Sequence, residues 1–190
     1  MKQGKPVRKR VFLLLVLTLL ALMFWRSDWL GKWMYPIHYR DDIRISSENY
    51  GLEPHLVAAI IRVETNYNTG LQSKKGALGI MQMMPDTAEW IVQQGKFSNI
   101  TPSMLSERAD ISIEIGAWYL HSLHQQFGGN MIAAIAAYNA GPGAVNRWIS
   151  DGTWDGRIET VDRLPYGETR HYIQRVVYYY NKYKKLYPEF

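Results

Sequence analysis

Apolar residues recur at helical steps in one segment after another, and no convincing run alternates apolar with polar residues as a half-buried strand would. Between Pro54 and Asn66 the stripe is Val57, Ile60, Ile61 and Glu64. Between Ala109 and Phe127 it is Ile113, Ala117, Leu120, Leu123 and Phe127, and between Glu168 and Tyr187 it is Tyr172, Val176, Tyr179 and Tyr183. This pattern predicts a mainly α fold with at most a small β element near Gly79. Shorter helices are expected from Pro85 to Gly95, after Thr101-Pro102, over the alanine-rich Met131 to Tyr138, and from Gly143 to Ile149. Gly128-Gly129-Asn130 and Gly141-Pro142-Gly143 should end or turn the chain.

One member of these stripes is a carboxylate. Glu64 shares the face of Val57, Ile60 and Ile61, so it should lie against the core. Burial disfavours the charged form, raises a carboxyl pKa, and makes the group a proton donor near neutral pH. On spacing alone, the plainer reading of a last polar residue at a fraying helix end is the better one. The segments that follow shift the balance. In order along the chain stand Glu64-Thr65, Ser73-Lys74-Lys75-Gly76, Gly79-Ile80-Met81-Gln82-Met83-Met84-Pro85, Ala137-Tyr138-Asn139-Ala140-Gly141, and Pro165-Tyr166-Gly167-Glu168-Thr169-Arg170 with Tyr172 close behind.

From about Tyr50 to Tyr187 this order resembles the lytic transglycosylases of the soluble, goose-lysozyme-like kind (the SLT domain, glycoside hydrolase family 23). One position departs: the family usually has serine after its catalytic glutamate, and here Thr65 keeps the hydroxyl. The resemblance implies a lysozyme-like helical domain with a central cleft, and Glu64 as the single acid/base. It implies that Ser73, Gly79, Met81, Gln82, Met84, Tyr138, Asn139, Glu168 and Tyr172 line the cleft or hold sugars. Gln82 and the backbone at Gly79 would bond the sugar's polar groups, Met84 would pack beneath it, and Tyr138 would reach toward Glu64 or the acetamido oxygen. Asn139 equally suits a helix terminator. Glu168 and Tyr172 would hold sugars or buttress the site, and Glu168 also suits a surface pair with Arg170 or Arg175.

The implied substrate is the peptidoglycan strand, cut between N-acetylmuramic acid and N-acetylglucosamine to leave a 1,6-anhydro end. Because the sugar's own C6 hydroxyl closes the ring, no second carboxylate is needed to activate water. A muramidase of the same fold that admits water, and a weakly catalytic glycan-binding scaffold of a cell-envelope complex, are the alternatives. No cofactor is implied. His121 and His124 sit three apart on a helix without a third ligand nearby, so no metal site is expected. Trp90, Trp118 and Trp148 offer faces on which sugars can stack, but at helical positions such tryptophans are read as core.

The net charge of +5 suggests a polyanion partner until it is located. Lys2, Lys5, Arg8, Lys9 and Arg10 carry five positive charges with no acid among them, leaving 17 basic residues against 17 acidic ones. Nucleic-acid binding is thereby disfavoured, and the charge becomes a topology signal. Behind it, Val11 to Trp25 is apolar apart from Thr18, and Trp25, Trp29, Trp33 and Tyr35 follow. The expected organisation is a basic cytoplasmic head over 1–10, a transmembrane signal-anchor or cleaved signal over 11–30, a linker over 31–48 with some helical content near Tyr39 to Ser46, and the catalytic domain over 49–190. Ala21-Leu22-Met23-Phe24-Trp25 offers no small-x-small cleavage site, which favours a single-pass anchor with the domain outside the cytoplasm. The sequence contains no cysteine, so neither disulfides nor a thiolate nucleophile enter the account.

Overall fold

The computed structural model describes residues 6–26, 28–97 and 99–190. It divides into two units, Met1–Pro36 and Ile37–Phe190. In the first, α1 spans Pro6–Arg26 and α2 spans Trp29–Met34. The large apolar side chains along α1, among them Phe12, Leu15, Leu19 and Leu22, are exposed. Among the described residues no helix is long and apolar enough to cross a membrane. The single span expected over 11–30 is therefore not met by α1. Its apolar run is flanked by Arg8, Lys9, Arg10 and Arg26 inside the same helix, and the helix ends before residue 30.

The second unit is mainly helical. It contains α3 (Arg40–Tyr50), α4 (Pro54–Glu64), α5 (Pro85–Gln94), α6 (Met104–Glu107), α7 (Ala109–Gln126), α8 (Met131–Ala140), α9 (Pro142–Ser150), a 3-10 turn over Ile158–Arg163 and α10 (Gly167–Leu186). Among the described residues there is no strand, and the β element is one antiparallel bridge between Leu78 and Met83. The compact unit begins at Ile37 rather than Asn49. The helical content expected near Tyr39 to Ser46 is α3, which buries Ile43 and packs on α4 and α7, so it is part of the compact unit.

Two features of sequence place the site. Pro54 opens α4, where its missing N–H costs nothing, and Asn66 and Tyr67 take left-handed backbone just past its end. The Tyr67 hydroxyl is then anchored to the Ala58 carbonyl at 3.1 Å and to the Tyr183 hydroxyl at 3.3 Å, which fixes where α4 stops against α10. The second feature is the alanine content of α8. Ala133, Ala134, Ala136 and Ala137 are fully buried, so α7, α9 and α10 all approach this helix closely. Tyr138 and Asn139 at the tip of α8 line the same cleft as Glu64 at the end of α4.

Candidate active site

Glu64 is the last residue of α4 and opens, half-buried, into a cleft of about 360 Å³. The cleft is also lined by Ser73, Lys74, Gln82, Met84, Tyr138 and Glu168. Burial pushes the Glu64 carboxyl up to about 7. A hydrogen bond from Tyr172 and the charge of Arg175 pull it down, and the nearby negative charge of Glu168 pushes it up. The Tyr172 hydroxyl donates to Glu64 Oε1 at 2.7 Å. Tyr172 is itself buried on α10, and burial beside Glu64 holds its hydroxyl well above the ordinary tyrosine range. It is a fixed donor that does not compete for the proton.

The loop after α4 forms the facing wall. Ser73 Oγ accepts from the Ala77 amide at 2.9 Å while the Ser73 amide donates to the Ala77 carbonyl, closing a small turn with Lys74 and Lys75 at its tip. The Thr65 hydroxyl donates to the Ile80 carbonyl at 2.8 Å, tying the residue beside Glu64 to the far end of the loop. Gln82 has left-handed backbone, and its Nε2 donates to the carbonyls of Gly79 at 2.9 Å and Leu71 at 3.0 Å. The Tyr138 hydroxyl donates to the Met81 carbonyl at 3.0 Å, bracing the loop from α8. Thr169 donates to Asn139 Oδ1 at 2.9 Å, joining the start of α10 to the end of α8.

Of the residues expected at the site, Glu64, Ser73, Gln82, Met84, Tyr138, Asn139 and Glu168 share the cleft wall. Tyr172 reaches it through its bond to Glu64. Three expectations change in detail. Gly79 is buried behind the wall: a Cβ there would stand 2.1 Å from the Leu105 carbonyl oxygen and 2.6 Å from Ser112 Oγ, at a φ of +71°. The Met81 side chain is fully buried against Gly116, so only its carbonyl serves the site. Tyr138 is directed to that carbonyl, and the hydroxyl that meets Glu64 is Tyr172's. Arg170 donates to the Leu164 carbonyl at 2.7 Å, and Glu168 forms no ion pair among the described residues, which leaves it facing the cleft.

Three residues that the sequence does not assign to the site belong to the arrangement. Lys74 and Lys75 form a cationic rim, and Arg175 acts on Glu64 through its charge. The lysine pair was visible in sequence. Arg175 was visible as well, three residues after Tyr172 and therefore on a neighbouring face of α10. His124 meets the Gly129 carbonyl at 2.8 Å, and among the described residues no cluster of three metal-ligating side chains occurs.

These features define a helical domain whose cleft holds one half-buried, tyrosine-bonded glutamate between a packed helical seam and a hydrogen-bonded loop. A profile of the Transglycosylase SLT domain matches residues 41–160, so the chain belongs to that family. Similar proteins include the soluble lytic murein transglycosylase of Salmonella typhimurium, 37% identical over 149 residues, covering 76% of this chain and 23% of that protein. Another is the membrane-bound lytic murein transglycosylase C of Edwardsiella ictaluri, 31% identical over 159 residues, covering 73% of this chain and 44% of that one. Among solved structures, the 70 kDa soluble lytic transglycosylase of Escherichia coli superposes with a TM-score of 0.76 at 32% identity, covering 82% of this chain and 25% of that one. An inactive glutamate-to-glutamine mutant of the lytic transglycosylase Slt from Pseudomonas aeruginosa gives 0.71 at 34% identity, covering 80% and 25%. The chain thus spans about a quarter of the length of the soluble relatives it matches.

Proposed function

We propose that this chain is a lytic transglycosylase that cuts the β-1,4 bond between N-acetylmuramic acid and N-acetylglucosamine in peptidoglycan, with Glu64 as its only acid/base. The observation that carries the reading is the state of Glu64: raised to about 7 by burial, yet open to the cleft and oriented by Tyr172. Family membership and the loss of activity in a neighbour's glutamate-to-glutamine mutant support it.

In the proposed reaction, protonated Glu64 gives its proton to the glycosidic oxygen as the bond from that oxygen to the anomeric carbon breaks. The leaving sugar departs with a new hydroxyl, and the substrate's acetamido oxygen supports the electron-poor anomeric carbon. Glu64, now a carboxylate, takes the proton of the C6 hydroxyl as that oxygen bonds to the anomeric carbon. The 1,6-anhydro ring closes, Glu64 is protonated again, and no water is consumed. The Tyr172 hydrogen bond stabilises the carboxylate midway between the two transfers. Glu168 is exposed on the same cleft and serves as a sugar-binding group.

We further propose that the domain works outside the cytoplasm, held at the membrane by the segment 11–30. A basic front, exposed apolar side chains along α1 and the tryptophans at 29 and 33 support attachment. A soluble product after removal of the leader, with wall or envelope proteins as further partners, is the competing arrangement. Fractionation separates the two: the retained chain pellets with membranes.

Mass spectrometry of fragments released from purified peptidoglycan by the full chain in detergent, beside Glu64→Gln, tests the activity. Muropeptides one water lighter than hydrolysis products, absent with Glu64→Gln, are expected. Full-weight reducing ends would make the protein a muramidase. A folded, wall-binding protein that releases nothing would make it a scaffold.

A further inference from the structure

The two faces of α10 differ in character. Its inner face, with Tyr172, Ile173, Val176 and Tyr183, is buried. On its outer face His171, Arg175, Tyr178, Lys182 and Lys185 follow one another at alternating steps of four and three residues, which aligns them in one stripe about 21 Å long. His171, Arg175, Tyr178 and Lys185 are exposed, and the Lys182 ammonium stands 5.6 Å from the centre of the Tyr178 ring. No acidic residue enters the stripe: the carboxylate of α10, Glu168, lies in its first turn and lines the Glu64 cleft. From Ile37 onward acidic residues slightly outnumber basic ones, so the stripe is a segregation of charge and not a share of a general excess.

The Lys185 end of this stripe is where the chain enters the compact unit. Just past the last turn of α10, the Tyr187 hydroxyl is hydrogen-bonded to the Ile37 backbone. Arg40, the first residue of α3, lies over the Tyr187 ring at 5.0 Å and over the Phe190 ring at 5.2 Å. His55 Nε2 meets the Tyr187 carbonyl at 2.8 Å. Segment 11–30 leads into this junction through residues 31–36. A chain of that length reaches at most about 25 Å, so whatever fixes the segment also keeps the Lys185 end of the stripe near. If a membrane fixes it, what lies near is a layer of lipid headgroups.

We propose that the outer face of α10 docks on the anionic lipid surface of the membrane that holds segment 11–30. Arg175, Lys182 and Lys185 pair with headgroup phosphates while their aliphatic stems lie along the interface, and the Tyr178 ring sits at headgroup level, where amphipathic aromatic side chains are favoured. A soluble polyanion would satisfy the cations alone. The tyrosine in the middle of the stripe and the tether at its end select a lipid surface. Tyr172 lies about 100° around α10 from His171, so the docked face leaves the Glu64 cleft open at its side, and the acid works on glycan close to the membrane. The proposal rests on the attachment reading of segment 11–30 and adds to it a fixed orientation of the domain.

The chain has no cysteine, so a fluorophore attached through Gln174→Cys reports on the edge of the stripe alone, and one attached through Ser150→Cys, exposed on α9, is the control. The full chain is reconstituted into vesicles of phosphatidylcholine, alone or in equal parts with phosphatidylglycerol, that carry a headgroup quencher. Quenching at Gln174→Cys should be strong with phosphatidylglycerol, weak without it and lost in 1 M salt, and the control should stay weak throughout. Lys185→Gln should lower the docked-to-undocked ratio about fivefold, and Lys182→Gln with Lys185→Gln about 25-fold. Equal quenching in both lipids, or quenching that the double variant leaves unchanged, overturns the docking face. An emission change with soluble polyphosphate and none with phosphatidylglycerol overturns it too, and gives the stripe to a polymer. Flotation of the full chain on the same vesicles separates this from the attachment reading. A chain that floats with both lipids without lipid-dependent quenching keeps its anchor and lacks the docking face. One that floats only with phosphatidylglycerol and is released by salt has the docking face without the anchor, and one that floats with neither has neither.

Discussion

The two walls of the cleft are built by opposite means. On one side the end of α4 lies on α10, a seam in which Val57, Ile60, Ile61, Ile173 and Val176 are fully buried and the polar contact at the site is Tyr172 to Glu64. On the other side the segment from Leu71 to Met84 has little regular structure and is held by hydrogen bonds. These are Ser73 with Ala77, the Leu78–Met83 bridge, Gln82 to two carbonyls, and the outside braces from Thr65 and Tyr138. Packing gives the acid a fixed, partly desolvated position, as a raised pKa requires. A polar loop leaves backbone and side-chain groups within reach of a hydroxyl-rich ligand. The seam should therefore govern the chemical step and the loop should govern binding.

The largest expected effect tests the seam at its centre. Glu64→Gln removes the transferable proton while keeping the shape, and cleavage should fall by about two to four orders of magnitude. The same variant has a stability signature. Glu64 in the fold titrates at about 7 against an ordinary 4.5, so the folded state holds the proton more tightly than the unfolded chain. Stability is thus lost as pH rises from about 4.5 to about 7 and stays low above it, by about 3 kcal/mol in all. Urea midpoints for the parent should fall across that window, and Glu64→Gln should not show this fall. An identical pH dependence in both chains would contradict the assigned burial.

Next in size is Gly79→Ala, aimed at the root of the loop. The added methyl would meet the Leu105 carbonyl at a left-handed φ, so about 3 kcal/mol or more of stability should be lost. Thermal denaturation checks this, and an unchanged Tm would mean that α6 gives way freely. Tyr172→Phe is smaller and more informative. Loss of the hydroxyl removes a contact that lowers the Glu64 pKa, so the alkaline limb of the pH–rate profile should move to higher pH while kcat falls about tenfold. A change confined to KM would put Tyr172 with the loop residues. Gln82→Ala, the smallest of the four, deletes two bonds inside the loop and should raise KM several-fold with kcat nearly kept. An equal loss in kcat would show that the loop also positions the acid.

Much of this was legible beforehand because it is local. The stripe of Val57, Ile60, Ile61 and Glu64 required only helical geometry, and α4, α5, α7, α8 and α10 fall within a few residues of where periodicity and Pro or Gly punctuation predict them. The one bridge between Leu78 and Met83 stays within the expectation of at most a small β element near Gly79. That α3 joins the compact unit is not legible in its sequence, because it carries charged residues on most faces and its burial of Ile43 depends on α7, distant in sequence. Trp90 was assigned to the core for the opposite reason: tryptophan is usually buried, and only the placement of Trp118 and Tyr119 leaves one face of it outside.

The order of the motifs identified the family, and the residue types at Glu64, Gln82, Tyr138, Glu168 and Tyr172 set which chemistry is available. Neither could say which hydroxyl faces the acid. Tyr138 and Tyr172 are both tyrosines in family motifs, and it is the packing of α10 on α4, fixed by contacts more than a hundred residues apart, that gives Tyr172 to Glu64 and leaves Tyr138 to the Met81 carbonyl. The pKa of Glu64 is likewise a tertiary property. Helical spacing can aim a carboxylate at the core, but the desolvation that raises it comes from the tertiary packing at the end of α4, which lies on α10.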